Sequence, residues 1–244
     1  MINVIILLIV FTGVGLPLYK SLSIHEKNWQ KSIGESFFFG VFIIVVLLNI
    51  IQLLMLNINM TITFNFFFII GAISILVFVI KNRNSLSFIS INTRKINSQN
   101  RVFIVLVSVI ILTHLYHIIL QNSSMPLIAW DAWNGWVAKA KIWHYHGISE
   151  PLINRFVWLQ ADSALTNPIV HYPDGLSLLY LFESGYWGWN ETELNAIYPA
   201  MFIALLFLPL MRWLTRKKVP KPIGVFLVIV IIVGFLKLGG EMVQ

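Results

Sequence analysis

Long apolar runs free of charge decide what this chain can fold into. Runs of about 17–25 apolar residues are long enough to cross roughly 30 Å of hydrocarbon as helices. Six such stretches occur: Ile2 to Tyr19, Phe37 to Leu56, Phe64 to Ile80, Val102 to Leu120, Ala196 to Leu214 and, shorter, Ile223 to Leu236. No Asp, Glu, Lys or Arg lies mid-span, and polar side chains there are sparse, mainly Asn49, Gln52, Ser74, Ser108, His114 and His117. The first run has no basic segment before it and no small-residue cleavage pattern after it, so it reads as a span and not as a secretory signal. The expected fold is all-α: a polytopic transmembrane bundle of about six spans.

Composition agrees. Of the 244 residues 58% are hydrophobic and 11% charged, against roughly 45–50% and about 25% in soluble domains. The 17 basic residues outnumber the 10 acidic ones, but they sit beside apolar runs and form no groove interleaved with aromatics, which argues against nucleic acid. With no cysteine, disulfides, thiolate metal sites and a Cys nucleophile are excluded.

Short basic loops stay on the cytoplasmic side. Lys20, Lys27 and Lys31 follow the first span; Lys81, Arg83, Arg94, Lys95 and Arg101 lie between the third and fourth; Arg212, Arg216, Lys217, Lys218 and Lys221 follow the fifth. Only Lys139, Lys141, Arg155 and Lys237 fall on the other side, together with most of the acids. The N-terminus and the long loop are therefore expected outside the cytoplasm, in what reads as a bacterial cytoplasmic membrane. The organisation predicted is four spans over 1–120, an extracytoplasmic loop of amphipathic surface helices over 121–195, and two spans over 196–244. The chain stops just past the sixth run, which reads as a partial protein; a short subunit would read the same way.

Spans without ionisable groups are poor candidates for ion-coupled transport, so chemistry is sought in the loop. It opens with Trp130-Asp131-Ala132-Trp133, followed by Trp136, Lys139 and Lys141, and reads as a helix from an Asp131 cap to a Gly147 stop. Trp133, Trp136, Ala140 and Trp143 or His144 form one stripe, suited to the membrane surface, with snorkelling lysines beside it. The tryptophans taken singly also fit a plain aromatic belt. Asp131 differs, because an acid among tryptophans at a span end is costly unless a partner or a task holds it. Later, His171-Tyr172-Pro173-Asp174-Gly175 turns the chain into a second surface-lying helix, with Leu176, Leu179 and Tyr180 as its apolar residues. Asp174 fits both a helix cap and an acid/base role. His144 and His146, two apart, make a poor metal pair; His114 and His117 share a face and suit a buried, hydrogen-bonded role.

Taken in order, Trp130-Asp131-Ala132-Trp133, Trp136, Lys139-Ala140-Lys141 and His171-Tyr172-Pro173-Asp174 resemble the first outer loop of the bacterial multi-spanning glycosyltransferases of the GT-C class. Their sugar donor is carried on a polyprenyl phosphate. The resemblance covers roughly Leu120 to Tyr186 in detail; elsewhere only hydropathy matches. It implies inverting sugar transfer at the outer face to a glycan, lipid or protein acceptor of the cell envelope. Asp131 matches the acid that serves as base or metal-linked carboxylate, so a divalent metal is the one cofactor the resemblance admits. Lys139, Lys141, Arg155, His171 and Asp174, with Trp130, Trp133 and Trp136, are the candidate substrate and phosphate contacts. Two features depart from the class: no second acid accompanies Asp131 before Glu150, and members have more spans. The alternatives are a polysaccharide export, polymerisation or lipid-binding component without bond chemistry, and a structural subunit.

Overall fold

The computed structural model describes residues 2–22, 32–82, 109, 113, 115–117, 135–154, 166–167 and 173–215. Three helices, α1 (Ile2–Leu22), α2 (Ser32–Leu53) and α3 (Met60–Lys81), coincide with the first three apolar runs and are long and apolar enough to cross a membrane. The chain is thus a helical, membrane-embedded protein. Apolar surroundings offer the backbone no water, so these Ile-, Val- and Phe-rich segments close their hydrogen bonds internally as helices despite modest helix propensity. Among the described residues four further helices have full bounds: α4 (Trp136–His146), α5 (Gly175–Trp187), α6 (Glu191–Leu194) and α7 (Ile197–Thr215). The last covers the fifth predicted run. The fourth run is described only at a few positions, where it is helical, and the sixth lies outside the described residues, so six spans are not established. A two-residue parallel pairing, Ile153 with Thr166 and Asn154 with Asn167, departs from a purely helical expectation.

The α2–α3 connection is short, and Asn59 sets its end: its side chain accepts from the Ile62 amide at 3.1 Å, capping α3. The ends of α2 and α3 at residues 53–60 therefore share one side of the bundle, called here the loop end.

Glycines set how closely the three spans approach. A Cβ on Gly40 would strike the Phe11 carbonyl, one on Gly15 the Ser36 carbonyl, and one on Gly13 the Gly71 backbone. Small residues bring helix backbones together where lipid supplies no hydrophobic drive. Gly40→Val is expected to destabilise the protein by at least about 3 kcal/mol, because the obstacle is backbone and cannot swing away. A full-length Gly40→Val protein that unfolds in mild detergent at the native temperature would contradict this packing.

Helix α5 is not a surface helix. Nine consecutive residues, Ser177 to Gly185, are buried, and a helix buried on all sides belongs to an interior. Phe182 places its ring 6.0 Å from Phe11, 4.9 Å from Phe64 and 5.9 Å from Phe67. The expectation from Leu176, Leu179 and Tyr180 failed because this segment has no polar face to lie in water.

Candidate functional site

Helix α5 slants through the loop end of the bundle. A Cβ on Gly175 would lie 3.8 Å from Val45 Cγ1, whereas one on Gly185 would strike the Met60 carbonyl at the start of α3. Val45 stands eight residues before the end of α2, a depth of about 12 Å at 1.5 Å per residue. The first turn of α5 is thus well below the loop end, and its last turn is level with it.

Helix α4 runs beside α5 in the same sense, since Lys139 meets Asp174 while His144 meets Ser184. Its far end is tied to the α2–α3 connection, where the Ser149 hydroxyl donates to the Leu56 carbonyl at 3.0 Å. Gly147 ends α4 as expected, adopting φ +105° while its amide bonds the Trp143 carbonyl at 2.9 Å. The start differs from expectation: Gly135 caps the helix, not Asp131. Buried Asn167 fixes that start by donating from Nδ2 to the Gly135 carbonyl at 3.2 Å.

Lys139 does not snorkel. Its side chain is fully buried and its Nζ lies 2.7 Å from Asp174 Oδ1, whose own side chain is 33% exposed. Asp174 occupies the cap position of α5 without a capping hydrogen bond from its side chain; the carboxylate serves the lysine instead. An ammonium removed from water needs such a partner. Lys141, by contrast, is half exposed, with Nζ 3.6 Å from Glu191 Oε1. Trp136 is half-buried against the core, with its indole N–H lacking an acceptor among the described residues.

Three groups not named as site residues from the sequence join this region. Glu183 is buried on α5 with no hydrogen-bond partner for Oε1 among the described residues. Burial pushes its carboxyl well above the usual carboxylate range. The Tyr180 hydroxyl, one turn earlier, donates to the Tyr198 hydroxyl at 3.1 Å. His144 Nδ1 is 2.8 Å from Ser184 Oγ, and burial lowers its imidazole from the ordinary value of 6.5. A signal for Glu183 was present in its apolar run, Leu176 to Phe182, which leaves the acid no wet face. Nothing local signalled the pairing of His144 with a serine 40 residues on.

The His144 shift has a consequence for stability. Its folded pKa is depressed, so the unfolded chain binds this proton more readily. The contribution is complete above the unfolded value near 6.5 and is lost as pH falls through the lower folded value. A nitrogen-15 titration should show His144 with a midpoint below pH 6.5; a midpoint at or above that value would contradict its burial against Ser184.

Of the predicted site residues, the structure brings Lys139 and Asp174 together and sets Lys141 apart, on the α6 side. Asp131, Trp130, Trp133, Arg155 and His171 lie outside the described residues. Of the two membrane histidines, His114 also lies outside them, and His117 is exposed instead of buried. Among the described residues no three His, Cys, Asp or Glu side chains come together as metal ligands. No protein-family model, curated protein or solved structure matches the chain.

Proposed function

We propose that this protein is a membrane glycosyltransferase of the GT-C kind, moving a sugar from a polyprenyl-phosphate donor to a cell-envelope acceptor at the outer face of the membrane. The observation that carries this reading is the pairing of fully buried Lys139 with the partly exposed Asp174, set about 12 Å below the loop end. The spans themselves carry no mid-span charge; the loop that follows them brings ionisable groups into the bundle. Polar machinery at that depth is expensive to keep and marks a site for a substrate that arrives through lipid. Topology supports placing the loop end outside: Lys20 and Lys81 terminate α1 and α3 at the opposite end, as short cytoplasmic basic loops require.

In this reading Asp131 takes the proton from the acceptor hydroxyl as that oxygen attacks the anomeric carbon. The carbon–phosphate-oxygen bond breaks, the configuration inverts, and the phosphate stays on its lipid. Cations near the departing phosphate offset its growing charge. Lys139 is already balanced by Asp174 and Lys141 is paired with Glu191, so Arg155 is the cation assigned to phosphate, having the fork geometry suited to it. His171 assists, and Trp130, Trp133 and Trp136 cover the site.

One observation favours a second reading. The lysine held deepest is neutralised within the chain, which suits a component that binds lipid-linked glycan for export or polymerisation without cleaving it. Reconstituted vesicles given labelled polyprenyl-phosphate sugar separate the two. Sugar on an acceptor supports the transferase; saturable retention of intact donor without turnover supports the binding component and overturns the first reading.

A further inference from the structure

A second constellation lies at the loop end, away from the Lys139–Asp174 pair. Lys141 and His144, three apart on α4, share a face that meets the turn between α5 and α6. Gly188 adopts φ +73°, which a side chain would resist, and Asn190 accepts from the Thr192 amide and hydroxyl at 3.2 and 2.8 Å. These two features fix the turn that carries Trp189 over α4. The Trp189 ring lies 5.7 Å from the His144 ring, and the Lys141 ammonium is 6.0 Å from the indole centroid. Glu191 closes the group through Lys141 at 3.6 Å.

Counting protons settles the imidazole. The single hydroxyl proton of Ser184 goes to the Leu181 carbonyl at 2.7 Å, so Ser184 must accept from His144 Nδ1–H. Nε2 is then left with a lone pair. Lys141 is offset by Glu191 and burial disfavours the charged imidazole, so the group presents donors, acceptors and an aromatic ring with no excess charge. That combination is ill suited to a bare phosphate and matches a polyhydroxylated ring.

We propose that Lys141, His144, Trp189 and Glu191 form a binding site for one neutral sugar ring. This rests on the reading of the chain as one that handles lipid-linked sugars, and supplies that reading with a place for sugar distinct from the reacting bond. The C–H face of the ring lies on Trp189, one hydroxyl donates to His144 Nε2, another accepts from Lys141, and a third donates to Glu191.

The test uses the full chain in lipid nanodiscs with a tritiated methyl hexoside. Saturable binding is expected, weakened about tenfold by Trp189→Ala and largely retained in Trp189→Phe. Lys141→Met, a change at a half-exposed side chain, should weaken it as well. In nitrogen-15 histidine spectra, the hexoside should shift the unprotonated Nε2 signal that His144→Gln removes. Absence of saturable binding, binding indifferent to both Trp189→Ala and Lys141→Met, or inorganic phosphate displacing the hexoside at lower concentration would each overturn the proposal. Transfer activity is scored on the same nanodiscs. Transfer without hexoside binding removes this site alone, and hexoside binding without transfer removes the transferase reading while sustaining the site.

Discussion

Asp131→Asn should lower sugar transfer by about 10²–10⁴-fold, the usual contribution of a general base, while membrane insertion and donor binding stay intact. The amide keeps the size and hydrogen-bonding reach of the acid and loses only the capacity to take a proton. The Trp-flanked acid stands at the end of an apolar run, where an ionised carboxylate is costly to keep without a task. Transfer from labelled donor in reconstituted vesicles, with native and Asp131→Asn chains at equal abundance, measures the difference. Equal rates would remove Asp131 from the chemistry.

The second large effect concerns stability. Asp174→Asn removes the charge facing a fully buried ammonium, and because the Asp174 side chain makes no capping bond, the start of α5 is undisturbed. Breaking a buried pair from one side costs about 3–5 kcal/mol, and the partial exposure of Asp174 places this case near about 3. Lys139→Met should cost less, about 1 kcal/mol, because Met fills the buried stem and the carboxylate left behind is the less buried partner. The double variant should be more stable than Asp174→Asn alone. Chemical unfolding in bicelles gives all three values. If Asp174→Asn is neutral and the double variant is the least stable, Lys139 is not held as described.

How much was legible in the sequence follows from the range of the forces concerned. Helices α1 to α3 were readable because a charge-free apolar run of span length has few alternatives, and Gly147 was readable as a stop because a left-handed end favours glycine. The burial of α5 was not. Its 13 residues are too few to declare a span, and an apolar stretch that short looks alike on a surface and in an interior. Lys139 misled for a related reason: a lysine beside tryptophans snorkels unless a carboxylate meets it below the surface, and that carboxylate comes from 35 residues further on. A separation of 40 residues hid the His144–Ser184 bond. Asn59 and Asn190 each open an Asn-x-Thr triplet, the pattern of a glycosylation sequon, and each caps a helix, α3 and α6. Asx caps and sequons draw on the same short polar patterns.

The long loop returns into the bundle, bringing the start of α5 against Val45 within α2. The native chain has no cysteine, so a Val45→Cys, Gly175→Cys pair can be oxidised without background. The Gly175 Cβ position lies 3.8 Å from Val45 Cγ1, within the reach of a disulfide. In intact membranes the account predicts an intramolecular crosslink in the double variant and none in either single variant. Failure to crosslink, with the thiol of the Gly175→Cys variant instead labelled by a membrane-impermeant maleimide, would mean that α5 lies on the surface and that no ion pair is carried into the bundle.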